Sequence, residues 1–501
     1  MSRTRIRHRS RSLLRGGAAV LTATALVAAC SDPPTTGGGD VATGEDGGEA
    51  QLPDCPLDAL EEAAAEGPVE ITLWYGGLGG PTEETMKDMA VQFNESQDQV
   101  RVTTSNQGAS YEEVFRKYQS AASASTDQLP DILYTEDIYL PALVNSGQLL
   151  PAQACMEADG YDIENIEPVV RAQSTVNGVL YPGYMNVSTP VLYYNKAHWA
   201  KAGLDPNDPP QTLDEVYEVA KTLKDKGVSS KPLSFKMGHS FFTNWMAGIG
   251  IDVVNNDNGR EGAATEAIFD TPEAQDLLGF LEDMNDEGLL NVFAATEGSI
   301  DHYLALANQQ SSMLIETSTA SNTIAEFLGG TLTPEDAGLD YDVSSVNVAE
   351  LVPGTGPFPG IRAPGQVIPG GGLFYLLNTS APEQQAAAWK YLEFMLQPEN
   401  SAEWHIRGGY LPIVKAAQED PEVTSFWEHD MAGLLLSAAV KQLDEADPDN
   451  PSPLIGPFSD YADAVQGAME GVLLDGQSPD SALGSAQDTV TAALERYEGT
   501  G

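Results

Sequence analysis

The sequence predicts an α/β protein built from two lobes. Its 501 residues are too many for a single compact core, so two domains of ordinary size are expected. Strand and helix patterns alternate after residue 68, which is typical of sheets covered by helices. Several helix patterns carry a continuous apolar stripe, as helices that pack on a sheet do. No internal repeat is visible.

The first part of the predicted fold is a run of strand, helix, strand, helix and strand. Residues 69–75 alternate apolar with β-forming side chains and predict the first strand. A helix is expected to begin near Pro81, with Met86, Met89 and Phe93 on its inner face. A strand over 100–104, a helix over 111–118 and a strand over 130–135 follow. This order indicates a parallel sheet with right-handed crossovers.

Four later segments predict helices that cover the sheets. Thr212 and Glu215 form a capping box that opens one of them, which ends at Gly227. The other three are expected from Thr271, over residues 381–396, and over residues 479–497. The apolar residues in each recur at helical spacing, so these stripes are interpreted as core faces and not as cofactor sites.

The amino terminus has the layout of an export signal. Residues 1–29 contain six arginines, no acids and an apolar, small-residue run from Gly17 to Ala29. This pattern predicts a signal peptide, and the run is too short for a permanent transmembrane helix. Val27-Ala28-Ala29-Cys30 resembles a bacterial lipobox, in which Cys30 receives the lipid. The alternative is ordinary cleavage that leaves Cys30 as a passive thiol.

A flexible leash is expected to follow Cys30. Residues 30–67 are rich in Gly, Pro, Thr and acids and predict a disordered tether. With Cys30 lipidated, the remaining two of the three cysteines are Cys55 and Cys155. Export places them in an oxidising compartment, so a disulfide between them is predicted. Two buried free thiols are the alternative.

The charge of the chain excludes one class of partner. The formal net charge is −49, and removing residues 1–29 leaves 19 basic against 74 acidic residues. Such a surface repels phosphate backbones and anionic lipids, so nucleic acid is not expected as a partner. We interpret the acidity as a solvated surface and not as a binding face.

Motifs for catalysis and for metal binding are missing from the sequence. The six histidines are scattered, and none lies near another His or a Cys at metal-ligand spacing. No P-loop, nucleophile elbow or dinucleotide fingerprint is present. The glycine run 76–80 fits a backbone cradle or a plain turn equally well. The segment 255–259 has the wrong acid spacing for a calcium loop and predicts a surface turn. We therefore expect no cofactor and no metal.

Two segments carry a family resemblance. One is STPVLYYNK at 188–196, followed by KAGLDP at 201–206 and PPQT at 209–212; the other is QPENSAEWH at 397–405, leading into GYLPI at 409–413. Together they resemble extracellular solute-binding protein family 1 of ABC importers, and within it the glycerol-3-phosphate-binding branch. The likeness runs from about residue 69 to residue 497.

The resemblance implies a periplasmic-binding-protein-like fold of two α/β lobes, each a mostly parallel sheet flanked by helices. Three chain crossings would join the lobes, near 184–190, 330–342 and 397–411. The first lobe would comprise 68–186 and 336–398, and the second 187–335 and 399–501. A hinge motion would close the lobes over the ligand, and the closed form would dock on the permease.

Matching the family's motifs residue by residue gives a candidate ligand site. The implied ligand-binding residues are Tyr111, Glu136 or Asp137, Ser188, Thr317 or Ser318, Gly371 and Tyr410. An aromatic face such as that of Trp74 or Tyr111 would pack on a sugar or glycerol unit. Hydroxyls, a carboxylate and a backbone amide suit a polyhydroxylated ligand, because each desolvated hydroxyl needs a partner.

The chain departs from the family pattern where phosphate would be bound. Ala462 stands at the position of the family's phosphate-binding arginine, and Lys236 and His239 align with its two cleft tryptophans. Lys236 offers a charge but lacks the guanidinium fork. A neutral sugar, an oligosaccharide or a glycerophosphodiester is therefore as credible as glycerol phosphate.

The sequence thus predicts an exported binding protein, anchored by lipid to the outer face of the cell membrane. Its expected partners are a small polar solute, either a sugar or a glycerol phosphate derivative, and the subunits of an ABC permease. It is not expected to be an enzyme. The alternatives from other classes are a secreted, lipid-anchored carbohydrate-active enzyme and a cell-surface receptor or scaffold.

Overall fold

A computed structural model of the chain describes residues 52–294, 301–307, 309–329, 352–362 and 365–498. The predicted signal peptide, the lipidation of Cys30 and most of the tether lie outside these residues, as does the crossing expected near 330–342. Within the described residues helices and strands are interspersed as far as residue 377, after which only helices follow, and the strands form two large sheets and one sheet of two strands.

Thirteen strands occur in the described residues. They are β1 (Val69–Tyr75), β2 (Val100–Asn106), β3 (Ile132–Glu136), β4 (Leu149–Leu150), β5 (Thr175–Val176), β6 (Val179–Leu180), β7 (Pro182–Ser188), β8 (Pro190–Asn195), β9 (Leu233–Lys236), β10 (Leu290–Phe293), β11 (Met313–Thr317), β12 (Pro353–Pro357) and β13 (Gly370–Leu377).

Besides three short 3₁₀ segments, the same residues contain twenty helices, of which the tenth, Asn255–Gly259, is a single left-handed turn. They are α1 (Asp58–Ala64), α2 (Gly80–Ser96), α3 (Tyr111–Ala124), α4 (Leu140–Asn145), α5 (Ala152–Asp159), α6 (Pro168–Ser174), α7 (Lys196–Ala202), α8 (Leu213–Asp225), α9 (His239–Ala247), α10 (Asn255–Gly259), α11 (Pro272–Asp286), α12 (Asp301–Ala307), α13 (Ala320–Gly329), α14 (Pro382–Met395), α15 (Pro398–Gly408), α16 (Lys415–Gln418), α17 (Pro421–His429), α18 (Met431–Asp444), α19 (Phe458–Leu473) and α20 (Pro479–Glu498).

The first sheet has the order β2-β1-β3-β13-β4, with β7 also paired to β13. The predicted run β1-α2-β2-α3-β3 forms parallel pairs between β1 and β2 and between β1 and β3. A side chain caps the start of α3, where the Ser110 hydroxyl accepts from the Glu113 amide at 3.2 Å. Strand β13 is antiparallel to β3, β4 and β7.

The second sheet has the order β10-β9-β11-β8-β12. Strands β10, β9 and β11 are parallel, whereas β8 is antiparallel to both of its neighbours. Alternate residues of β8 face opposite sides: Val191 and Tyr193 join the core of the first lobe, and Leu192 and Tyr194 join a second core. Both sheets are therefore mixed and not mostly parallel, because strands that return from elsewhere in the chain enter them in the opposite direction.

A short helix and a disulfide tie residues 52–64 to the first lobe. Cys55 and Cys155 form a disulfide, and Leu60 of α1 is buried in the core. The predicted tether over 30–67 is therefore wrong for residues 58–64. Leu57, Leu60, Ala63 and Ala64 recur at helical spacing and pack against that core, which a purely compositional argument does not detect.

The lobes are joined by chain crossings, two of which lie at other positions than predicted. The first occurs at Thr189, between β7 and β8, inside the expected range. Strand β12 pairs with β8, so residues 353–357 lie in the second lobe and not in the first, and the chain crosses between β12 and β13.

The third crossing also lies later than residue 411. Ile413 accepts from the Glu167 amide at 2.9 Å, and Val414 forms a β-bridge with Ile166, so α15 and α16 remain on the first lobe. The side chain of Gln442 in α18 donates to Pro190 at the start of β8. The prediction that 399–501 lies in the second lobe is therefore wrong at its start.

None of the helices in the described ranges combines the length and the apolar character needed to cross a bilayer.

Candidate functional site

A cleft of about 310 Å³ opens between the two sheets. Its walls come from the ends of strands and the starts of helices, where side chains and backbone groups are free to face a ligand. Glu136 ends β3, Ser188 ends β7 and Thr317 ends β11, while Tyr111 begins α3. These residues meet because the carboxyl-terminal ends of β3, β7 and β11 all face the cleft.

Seven of the eight residues predicted for the site line this cleft. They are Tyr111, Glu136, Asp137, Ser188, Thr317, Gly371 and Tyr410. Ser318 does not line it: its hydroxyl accepts from the Thr189 amide at 3.3 Å, and its own amide donates to the Thr189 carbonyl at 2.8 Å. Because Thr317 ends β11, its neighbour turns away into the hinge. Thr317 is the cleft residue of this pair.

A chain of hydrogen bonds holds the aromatic side of the cleft. The hydroxyls of Tyr111 and Tyr134 lie 3.1 Å apart, and Asn186 donates from Nδ2 to Tyr134 at 2.7 Å. The Trp404 indole donates to Asn186 Oδ1 at 2.6 Å. Burial raises the pKa of Tyr111 and of Tyr410 above the ordinary value, so both stay neutral and can exchange hydrogen bonds with a ligand.

Two adjacent carboxylates face the same space. Both Glu136 and Asp137 line the cleft. Asp137 accepts from Gln173 Nε2 at 2.9 Å and from the Gly371 amide at 3.4 Å. Burial raises the pKa of Asp137 to about 6, although both hydrogen bonds oppose that shift. At neutral pH Asp137 is therefore mostly ionised and can accept hydrogen bonds from the hydroxyl groups of a ligand.

The second lobe contributes a wall that sequence reasoning mostly missed. His239, Ser240, Thr243 and Asn244 of α9 line the cleft, as does Phe458 of α19. The His239 ring packs edge-on against Phe458, with centroids 5.3 Å apart. Burial lowers the pKa of His239 to about 4, so its ring is neutral near pH 7.

Most of these wall residues belong to α9 and α19, two helices that were not predicted from the sequence. Gln173, Thr319, Ile368, Ser452 and Leu454 were also missed. The alignment with the family's cleft tryptophans pointed to His239; no other signal in the sequence singles out this wall.

Three residues considered at the sequence level lie outside the cleft lining. Lys236 forms an ion pair with Glu316 at 3.1 Å, Ala462 packs against the second core, and Trp74 packs against the first. Among the described residues that line the cleft there is no lysine or arginine. Lys236 therefore does not compensate for the missing phosphate-binding arginine, and the described lining carries no positive charge at neutral pH.

The described residues also contain no group of three or more His, Cys, Asp or Glu side chains placed to hold a metal ion. What the cleft offers is hydroxyls, amides, two carboxylates and aromatic edges. This set can satisfy a solute that carries several hydroxyl groups. The fold and the cleft together define a two-lobed solute-binding protein.

Comparison with known proteins gives the family. Residues 88–431 match the model of the bacterial extracellular solute-binding protein family, and the chain belongs to that family. It is similar to the sn-glycerol-3-phosphate-binding periplasmic protein UgpB of Pectobacterium atrosepticum, with 26% identity over 455 residues, which is 89% of this chain and 95% of that protein.

Solved structures share the fold. A cyclic alpha-maltosyl-1,6-maltose binding protein from Arthrobacter globiformis superposes with a TM-score of 0.68 at 23% identity, covering 86% of this chain and 100% of that one. UgpB from Mycobacterium tuberculosis, in complex with glycerophosphocholine, gives a TM-score of 0.67 at 19% identity, covering 86% and 99%. These likenesses concern the fold, including the two-lobed arrangement.

Proposed function

We propose that this protein is the lipid-anchored solute receptor of an ABC importer and that it captures a polyhydroxylated solute between its lobes. The observation that carries the proposal is the cleft, which combines Tyr111, Tyr410, two carboxylates and several hydroxyl and amide groups. The family membership and the relatives that bind sugars or glycerol phosphate derivatives support the same class of ligand.

The electrostatics of the cleft favour a ligand without a doubly charged phosphate. Glu136 and Asp137 oppose an anion, and the described lining offers no lysine or arginine to pair with it. His239 is neutral at neutral pH, and the rest of the chain is strongly acidic. A neutral sugar or oligosaccharide, or a glycerophosphodiester, fits these charges better than glycerol phosphate does.

A ligand panel tests the proposal directly. Maltose, maltotriose, glycerophosphocholine and sn-glycerol-3-phosphate would each be titrated into the protein by calorimetry and by thermal unfolding. We expect a sugar or the diester to bind, and a ligand at 100 times its Kd to stabilise the fold by about 2.7 kcal/mol. Glycerol phosphate should bind at least about ten-fold more weakly, because one charge-assisted hydrogen bond is missing.

The same panel separates the competing classes of function. The bound ligand should be recovered chemically unchanged after prolonged incubation, whereas a carbohydrate-active enzyme would convert it. Tight binding of glycerol phosphate would contradict the specificity argument. No binding across a wide range of sugars and diesters would contradict the solute-receptor proposal and favour a scaffold.

Anchoring through Cys30 is a second part of the proposal. Replacing Cys30 with alanine removes the only side chain that the lipobox can modify, so the variant should leave the membrane fraction and enter the medium. Cell fractionation followed by immunoblotting measures this, with Ser31→Ala as the matched control that should remain bound. If Cys30→Ala stays as membrane-bound as the parent, the protein is not held by a lipid on that residue.

A further inference from the structure

The guanidinium of Arg260 reaches from the second lobe to the first. Its Nη1 donates to the carbonyls of Thr175 at 2.7 Å and Ala172 at 3.2 Å, and Nη2 donates to the Gln173 carbonyl at 3.2 Å. Nε and Nη2 both donate to the Ser452 carbonyl, at 2.9 and 2.6 Å. One side chain thus gathers four backbone carbonyls, three of them from the end of α6 and the residue after it.

The turn that precedes Arg260 is held in a left-handed conformation. Asn256, Asp257 and Asn258 have φ values of 58°, 53° and 54°, which Asn and Asp tolerate better than other non-glycine residues. The Asn258 side chain accepts from the Val253 amide at 2.8 Å, and the Asn258 backbone carbonyl accepts from the Leu454 amide at 2.8 Å. These bonds fix the turn and therefore the direction in which Arg260 leaves it.

The contacts of Arg260 lead to the cleft through two residues that line it. The Ser452 amide donates to Gln173 Oε1 at 3.0 Å, and Gln173 donates from Nε2 to Asp137 Oδ2 at 2.9 Å. Because Ser452 binds the oxygen of the Gln173 side-chain amide, the nitrogen of that same side chain faces Asp137. Gln173, Ser452 and Asp137 all line the cleft, whereas Arg260 itself does not.

The chemistry of these contacts requires a guanidinium. Five N–H donors in one plane can satisfy several carbonyls at fixed angles, whereas an ammonium group has three donors and no plane. Burial lowers the pKa of Arg260 to about 10, opposed by the charges of Asp257 and Asp137. The side chain is therefore charged at neutral pH, and its hydrogen bonds are charge-assisted.

We propose that Arg260 is a positioning residue for ligand binding: it clamps the two lobes at one end of the cleft and fixes Gln173 and Ser452 in the orientation that presents Asp137 to the ligand. The proposal rests on the proposed function for its binding consequence. The clamp consists entirely of hydrogen bonds within the protein. Loss of Arg260 should speed separation of the lobes and hence release of the ligand, while first encounter with the ligand changes little.

Two measurements on the full-length protein test the clamp. The first is hydrogen exchange at the Ser452 amide, which is isolated because its neighbours Pro451 and Pro453 have no amide hydrogen. In the ligand-free Arg260→Met variant this amide should exchange about ten-fold faster or more, with the amides of β1 and β9 unchanged. The second is the dissociation rate of maltotriose or glycerophosphocholine, whichever binds the parent, which should rise by a similar factor.

Two further variants make the result specific. Arg260→Lys should give a smaller change in the same direction, because it keeps the charge and loses the fork, and it replaces Arg260→Met if that variant does not fold. Arg362→Met is the matched control, since Arg362 is exposed and contacts Glu273 only at 3.8 Å; it should change neither measurement.

The outcomes separate the clamp from the proposed function. Unchanged exchange at Ser452, or equal acceleration there and in β1, overturns the clamp. Faster exchange at Ser452 with an unchanged dissociation rate overturns the role in ligand binding. If the parent binds no compound across a wide range of sugars and diesters, the proposed function fails and the exchange result still decides whether the clamp exists.

Discussion

Replacing Glu316 with alanine is expected to lower the free energy of unfolding by about 3–5 kcal/mol, because it leaves the Lys236 ammonium without its counter-charge and the buried His302 ring without its hydrogen-bond partner. Glu316 is 3% exposed. It pairs with Lys236 at 3.1 Å and His302 at 2.7 Å, and it accepts from the Thr317 amide at 2.8 Å. Urea unfolding at pH 7 measures the change.

The pH dependence of this effect follows from the pKa of Glu316. Burial alone would raise it, but the hydrogen bond from His302 and the charge of Lys236 outweigh burial and lower it to about 2. The stabilisation is therefore complete above the ordinary pKa of 4.5 and is lost as the pH falls toward 2. The parent and the variant should converge in stability over that interval.

A surface carboxylate provides the control for Glu316. Glu445 is 68% exposed and lies 3.8 Å from Lys441, so Glu445→Ala should change the stability by less than about 1 kcal/mol. A loss of less than about 1 kcal/mol in Glu316→Ala would show that this cluster does not hold the second sheet together in the way its geometry indicates.

The largest effect on binding is expected from Gly371→Ala. A Cβ at this position would lie 2.1 Å from the carbonyl oxygen of Asn186, and φ is +150°, a conformation that side-chain-bearing residues rarely adopt. Asn186 cannot move away freely, since its side chain is bonded to Tyr134 and Trp404. Strand β13 must therefore separate from β7, at a cost of about 1–3 kcal/mol for the backbone alone.

Ligand affinity should fall with that separation. The Gly371 amide donates to Asp137 and lies in the cleft wall, so a shift of β13 displaces both an amide and a carboxylate. We expect affinity to drop about 100-fold in calorimetry, because the charge-assisted contact of the ligand with Asp137 and its contact with β13 would weaken together.

A second glycine serves as the control for Gly371. A Cβ at Gly467, in the exposed part of α19, meets no atom within 4 Å. Gly467→Ala should therefore leave binding unchanged and raise stability by up to about 1 kcal/mol. If Gly371→Ala binds the ligand with normal affinity, Gly371 does not contribute to the ligand site.

The sequence predicts local features of this protein better than long-range ones. The run β1-α2-β2-α3-β3 follows from the alternation of apolar residues in the strands and from the apolar stripe of α2. The order of strands in the completed sheets does not, because β13 is more than 200 residues away from its partner β3 in the chain. The predicted lobe boundaries were wrong for the same reason, because the sequence of β12 has no feature that assigns this strand to one sheet or the other.

The ligand site shows the same difference between residues that the sequence can locate and residues that only the folded chain brings together. Tyr111, Ser188 and Tyr410 belong to motifs that a family resemblance can locate. His239, Thr243 and Phe458 lie on helices with largely buried apolar faces, and only the packing of α9 against α19 turns their polar or aromatic edges toward the cleft. The role of Arg260 is harder still to predict from the sequence, since it depends on a left-handed turn that the sequence indicates only as a turn.

The central position of β13 also constrains the order in which the first lobe can assemble. Residues 370–377 bond to β3 on one side and to β7 and β4 on the other. Until that stretch emerges, Ile132 to Glu136 present an open row of unpaired backbone groups, with apolar side chains on both faces. A chain that ends between residues 136 and 370 thus carries an unpaired strand edge that can bind other chains. Fragments that end between residues 136 and 370 should therefore aggregate more readily than fragments that end before residue 132.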